Sequence, residues 1–135
     1  MSETTEQAAT KGDGYAVANL SDLGEGPGFR KIRKELGVTA FGVNAIVLPP
    51  SYETGSHYHD EQEELYFLHS GRVSIEFGDG TSHELEPGGL AWVAASTVRK
   101  LRNLSDSEDA LYVIVGGKDG YVGRDGKQPE GETRR

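Results

Sequence analysis

The chain has no cysteine, which rules out disulfides and thiol catalysis and leaves the redox compartment undetermined. Basic residues are few beside acidic ones: 14 Lys and Arg against 22 Asp and Glu, a formal net charge of −8 over 135 residues. With a pI near 4.9, the protein lacks the basic footprint that nucleic acid or an anionic membrane surface demands. No apolar run approaches the ~20 residues of a membrane helix. The first ten residues are polar and acidic, without the apolar centre of a signal peptide, so a cytoplasmic location is expected. Internal repeats are absent too, and the length fits one domain with a modest core.

What is present is a series of short apolar segments cut by glycine, proline and aspartate. Residues 41–48 read as a strand ended by Pro49 and Pro50, and residues 72–77 alternate polar and apolar ahead of a Gly78-Asp79-Gly80 turn. Residues 90–93 are apolar throughout and are expected to be buried on both faces. Residues 100–104 and 110–115 complete the clear strands, joined by an acidic loop at 105–109. Residues 15–19 fit a short first strand. Phe29, Ile32 and Leu36 stand at helical spacing before Gly37, yet an extended lead-in strand is the reading preferred here. Short strands between turn residues favour a sandwich or barrel.

Residues 55–71, Gly-Ser-His-Tyr-His-Asp-Glu-Gln-Glu-Glu-Leu-Tyr-Phe-Leu-His-Ser-Gly, carry the chemistry. On a strand, His57 and His59 face the same way, about 7 Å apart at Cα. The polar run at 60–63 turns the chain, residues 65–68 form the returning strand, and the hairpin can bring Glu64 beside both imidazoles. A His-x-His pair alone is ordinary on a half-polar strand. Two imidazoles with a carboxylate make a ligand set for a divalent transition metal. Glu61 and Glu63 read as turn carboxylates facing water, and His69 and His83 as surface residues at strand ends.

The spacing Gly-x-His-x-His-x4-Glu-x6-Gly resembles the first motif of the cupin superfamily, small β-barrels of the double-stranded jelly-roll type. The likeness runs over residues 40–115. Pro49, Pro50 and Gly55 stand at the turn before the histidine strand, and Gly71 at the turn after the glutamate. Residues 85–93 are similar to the start of the second motif, residues 94–98 to its turn, and Asn103 to its closing asparagine. The resemblance implies an all-β, single-barrel fold and pairing as a homodimer.

The second motif departs from the family at one position. Where it supplies a third histidine to the metal, this chain has Arg99, which keeps its proton and offers no lone pair. The ligand set carried over is therefore His57, His59 and Glu64, for Fe(II), Mn(II), Ni(II) or Zn(II) if any metal is bound. A guanidinium about 5 Å from a metal site of net charge near +1 is repelled by about 3 kcal/mol at an effective dielectric of 20. Three arrangements relieve this: Arg99 turned to solvent, an anion bridging arginine and metal, or no metal and Arg99 paired with Glu64.

Taken together, residues 1–14 are expected to form a loosely attached arm, 15–117 the barrel and 118–135 a glycine-rich charged tail, with Tyr121 and Val122 able to pin part of it. The expected function is a pocket for a small anionic molecule, with Arg99, Tyr66 and Trp92 as ligand-binding residues. Two classes stay open. One is a metal-dependent enzyme of dioxygenase, isomerase or lyase type; the other is a metal-free binding or sensor module.

Overall fold

Strict alternation along one strand organises the molecule. The computed structural model describes residues 8–129. In it, Glu64, Tyr66 and Leu68 of the strand Glu63–Ser70 are buried while Glu63, Leu65, Phe67 and His69 are exposed, the period-2 pattern of a sheet with one covered face. In chain order the elements are β1 (Thr10–Gly12), β2 (Tyr15–Val17), β3 (Gly28–Arg30), α1 (Ile32–Leu36), β4 (Gly42–Leu48), β5 (Tyr58–His59), β6 (Glu63–Ser70), β7 (Val73–Phe77), β8 (Ser82–Leu85), β9 (Leu90–Val93), β10 (Arg99–Asn103), β11 (Ala110–Gly117) and β12 (Gly126–Lys127).

Five strands in the order β3-β4-β11-β6-β9 form one antiparallel sheet, and β10-β7-β8 form the other. The second sheet is extended at its β10 edge by bridges from Glu53 to Arg102 and from His57 to Arg99. The inner faces meet in a core of Leu48, Tyr66, Leu68, Val73, Ile75, Val93, Leu101 and Tyr112. The result is the barrel that the strand pattern favours, of the all-β jelly-roll type that the motif resemblance implies.

One turn glycine and one strand-end asparagine fix the register near the core. Gly71 joins β6 to β7 at φ 87°, and a Cβ there would sit 2.8 Å from Ala110 Cα. Asn103, 1% exposed, donates from its amide to the carbonyls of Leu48, Pro49 and Glu108 at 3.0, 3.1 and 2.8 Å. It thereby ties β4, β10 and the loop before β11 together.

Three expectations need correcting. Residues 29–37 are not one strand: β3 ends at Arg30, and Ile32–Leu36 is helical. Gly37, left-handed at φ 79°, closes that helix through its N–H to Arg33 O at 2.9 Å, as a glycine C-cap does. Residues 90–93 are not buried on both faces. Strand β9 lies at the sheet edge, where Val93 opposite Glu64 points inward while Leu90 and Trp92 are 61% and 63% exposed. The histidine segment and β6 do not pair as a hairpin: β5 pairs with β12, drawn from the stretch after Gly117, and β6 with β11 and β9. Of the expected arm and tail, residues 1–7 and 130–135 lie outside the described residues. Among the described residues no helix is long and apolar enough to cross a membrane.

Candidate metal and ligand site

His57 and Arg99 are a cross-strand pair whose backbones exchange hydrogen bonds, each N–H to the other's carbonyl at 3.0 Å. Opposed residues of such a pair share a face, so both project into the barrel. His59 follows two residues on, held by its N–H to Ala95 O at 2.8 Å, and Glu64 arrives on β6 after the 60–62 turn. One ligating atom from each of His57, His59 and Glu64 lies within 4.8 Å of the others. The imidazoles stand edge to face, with ring centroids 5.3 Å apart.

Arg99 is fully buried. Its Nη2 donates to Glu64 Oε1 at 2.7 Å and its Nε to the Tyr66 hydroxyl at 3.2 Å, while Tyr66 donates to the same Oε1 at 2.9 Å. Its Nη1 is taken by the carbonyls of Thr97 at 2.6 Å and Ala95 at 3.3 Å. Arg99 is thus not turned to solvent: it pairs directly with Glu64. A buried charge with these partners avoids the penalty of standing alone.

The other carboxylate oxygen, Oε2, faces the centre. It lies 3.3 Å from His59 Nε2, and Oε1 lies 3.9 Å from His57 Nε2. Burial works against ionisation of Glu64. The imidazoles of His57 and His59, with the Arg99 guanidinium, overcome it and hold the carboxyl far below its ordinary value of 4.5. Tyr66 shifts the other way, well above 10.0, through burial and the adjacent Glu64 charge, so it remains a neutral donor. For Arg99, burial would lower the pKa, but its contacts with Tyr66 and Glu64 raise it.

His59 Nε2 is buried, and Glu64 Oε2 stands 3.3 Å away in a geometry that makes no regular hydrogen bond. Nδ1 of the same ring is 3.0 Å from Gln62 Nε2 and 3.8 Å from Asp125 Oδ2. As placed, the Gln62 amide donates to Nδ1, which leaves the proton on Nε2. For Nε2 to offer a lone pair to the centre the proton must sit on Nδ1, and the Asp125 carboxylate, 3.8 Å away, favours it there, as a carboxylate behind a metal-bound histidine does. The donor set, two imidazole nitrogens and a carboxylate oxygen, is of the kind that suits a divalent transition metal and leaves open positions.

The site lies at the polar end of an 810 Å³ cavity whose walls include Ile46, Tyr52, Tyr112 and Ile114. Tyr66 reaches that wall. Arg99 stands behind Glu64 and does not line the cavity. Trp92, expected to bind ligand, is on the outer face of β9 and donates from Nε1 to Glu63, so the structure does not bring it to the site.

Two residues were not picked out from the sequence. Gln62 sits inside a polar run that reads only as a turn, and its distance of three from His59 is the signal that was available. Asp125 is buried, and its Oδ2 accepts the N–H groups of Glu61 and Gln62 at 2.8 and 2.9 Å. Partial desolvation opposes ionisation, but these N–H donors prevail and keep its pKa low.

Solved structures similar to this one include a cupin protein from Bacteroides fragilis, with 24% identity over 80% of this chain and 87% of the other at a TM-score of 0.67. A sugar phosphate isomerase of the cupin superfamily from Silicibacter pomeroyi has 24% identity over 79% and 75% at 0.61. A DMSP lyase chain has 26% identity over 67% of this chain at 0.58. The present chain spans only 44% of that lyase. No curated protein matches the sequence. Residues 45–116, more than half of the chain and inclusive of every member of the histidine–glutamate–arginine cluster, match the family described as Cupin domain, and with the jelly-roll fold this makes the chain a member of the cupin superfamily.

Proposed function

We propose that the barrel binds a small organic anion in its cavity, and that His57, His59 and Glu64 hold a divalent metal at the polar end when that anion completes the site. The observation that carries this reading is the convergence of His57, His59 and Glu64 on the cavity wall, with three ligating atoms within 4.8 Å of one another. Charge explains the condition. A divalent cation beside one carboxylate and one buried guanidinium leaves two positive charges in a low-dielectric site, and an anion offsets them.

A metal so held supplies Lewis acidity and open coordination positions. Arg99 and Tyr66 keep Glu64 ionised with Oε1 fixed, so that Oε2 alone is presented. The apolar walls exclude water from the ligand's body. The DMSP lyase, 26% identical over the matched region, supports a small molecule as the ligand. The exposed strip of Leu65, Phe67, Leu90 and Trp92 supports pairing with a second copy of the chain.

A second reading has its own observation. The 2.7 Å pair between Arg99 and Glu64 already neutralises the carboxylate, as in a metal-free binding pocket. Elemental mass spectrometry separates the two on untagged wild type and His57→Ala, each challenged with Fe(II), Mn(II), Ni(II) and Zn(II), with and without succinate. Near-stoichiometric metal in the wild type, lost in the variant, supports the metal reading. A wild type that stays empty under every condition leaves the metal-free pocket.

A further inference from the structure

The protein carries a net charge of −8, yet the wall of its cavity is cationic. Lys31, Arg33, Lys34 and Arg124 all line it, and among the described residues the only acidic ones that do so are Glu64 and Asp125. Both carboxylates are already engaged, Glu64 by Arg99 and Asp125 by the N–H groups of Glu61 and Gln62. Among the described residues, none of the four cations has an ion-pair partner, although Arg72, Lys100 and Lys127 elsewhere on the surface do.

Two of the four are held in place. The Arg33 guanidinium lies 4.0 Å over the Tyr121 ring, a stacking that restrains it and leaves its N–H edge available. Tyr121 in turn sits close against Gly42 at the start of β4. Arg124 takes a left-handed backbone conformation, φ 54°, uncommon for a side-chain-bearing residue. The next residue, Asp125, anchors this bend through its two backbone hydrogen bonds. By contrast Arg99, the residue the sequence offers as anion anchor, is fully buried with its Nε, Nη1 and Nη2 all engaged by protein acceptors.

Resting on the reading of this cavity as a ligand site, we infer that the cavity selects an amphipathic organic anion. Its carboxylate, sulfonate or phosphate is held by Arg33 and Arg124 with Lys31 and Lys34 beside them, and not by Arg99. The apolar body lies along Ile46, Tyr112 and Ile114. An oxygen at the far end reaches the His57–His59–Glu64 cluster.

The test uses two fluorescent probes of similar shape, 8-anilinonaphthalene-1-sulfonate and its uncharged counterpart N-phenyl-1-naphthylamine, titrated into the full-length protein. In Arg33→Gln/Arg124→Gln the sulfonate probe is expected to bind about tenfold more weakly, with the neutral probe unchanged. In the wild type, added salt should weaken only the sulfonate probe. The exposed pair Lys31→Gln/Lys34→Gln, which carries no structural hydrogen bond, reads the same electrostatics if the first variant does not fold. Unchanged sulfonate binding in both variants overturns the inference. Equal loss of both probes also overturns it, as does loss in Trp92→Ser instead, which would place the probe on the outer strip. Metal content is measured on the same samples. A metal-free wild type with charge-dependent probe binding removes the metal reading and leaves this inference standing.

Discussion

Arg99 Nη2 donates to Glu64 Oε1 at 2.7 Å, with the guanidinium fully buried and the carboxylate nearly so. Removing one partner of such a pair strands the other charge, which costs about 3–5 kcal/mol. Arg99→Met is therefore expected to lower unfolding stability by about 3 kcal/mol in urea titrations. Combining it with Glu64→Gln should recover part of that loss, because no uncompensated carboxylate remains. Additive losses in the double variant would show that the two residues are not coupled.

Against burial, the His57 and His59 imidazoles, with Arg99 after them, set the acid response of Glu64. Glu64 has a folded-state pKa depressed below its ordinary 4.5, so the folded state keeps its charge where the unfolded chain takes up a proton. Its contribution to stability is present above pH 4.5 and is lost as pH falls below it. Wild type should lose stability more steeply than Glu64→Gln between pH 5 and 3, a window of about the ordinary carboxylate range. At the alkaline end Tyr66, raised above 10.0 by burial and by Glu64, has the opposite sign. Its contribution is present below pH 10 and disappears as pH rises further, so Tyr66→Phe should flatten the alkaline limb.

Position 99 also governs metal affinity in the proposed function. Arg99→His removes a positive charge from behind Glu64 and places a third imidazole within the barrel. Metal binding by this variant is expected to tighten by at least about tenfold, a ~1.4 kcal/mol gain, with the anion no longer required. Titration with Mn(II) and Zn(II) with and without succinate checks both points. Weaker binding in Arg99→His than in wild type would count against the cluster as a metal site.

How far the site was legible follows from distance along the chain. His57, His59 and Glu64 lie within one eight-residue stretch, so the strand period and an intervening turn predict their convergence, although the histidine segment pairs with Arg99 and β12, and Glu64's strand with β11 and β9, rather than the two forming a hairpin. Arg99 could be placed by motif, but its partner could not, because burial decides between solvent, anion and Glu64. Asp125 meets Glu61 from 64 residues away, out of a glycine-rich stretch with almost no apolar pattern, so no local rule reaches it. Residues 90–93 misled for a different reason. Their uniform apolarity is that of a doubly covered strand, while β9 is an edge strand whose outer side chains stay exposed.

Asn103 makes a separate test of the barrel's closure. Its side-chain amide donates to three carbonyls from a position 1% exposed. Asn103→Asp keeps the shape but turns a donor into an acceptor facing three acceptors. A loss on the order of 3 kcal/mol is expected near neutral pH, smaller at acid pH where the new carboxyl is protonated. Chemical denaturation at pH 7 and pH 4 checks the direction.

Asp125 links the C-terminal stretch to the His57–His59–Glu64 cluster, and two roles for it can be separated. Its carboxylate accepts the Glu61 and Gln62 N–H groups at 2.8 and 2.9 Å and lies 3.8 Å from His59 Nδ1. Asp125→Ala leaves those N–H groups without their acceptor and should cost about 1–2 kcal/mol of stability. Asp125→Asn retains an acceptor oxygen for the turn but loses the charge that favours a proton on His59 Nδ1. If His59 presents Nε2 to a metal, Asn at this position should leave stability nearly intact while weakening Mn(II) or Zn(II) binding about tenfold, the usual effect of removing a partner behind a metal-bound histidine. If instead metal affinity falls only in step with stability across both variants, Asp125 is a turn anchor and nothing more.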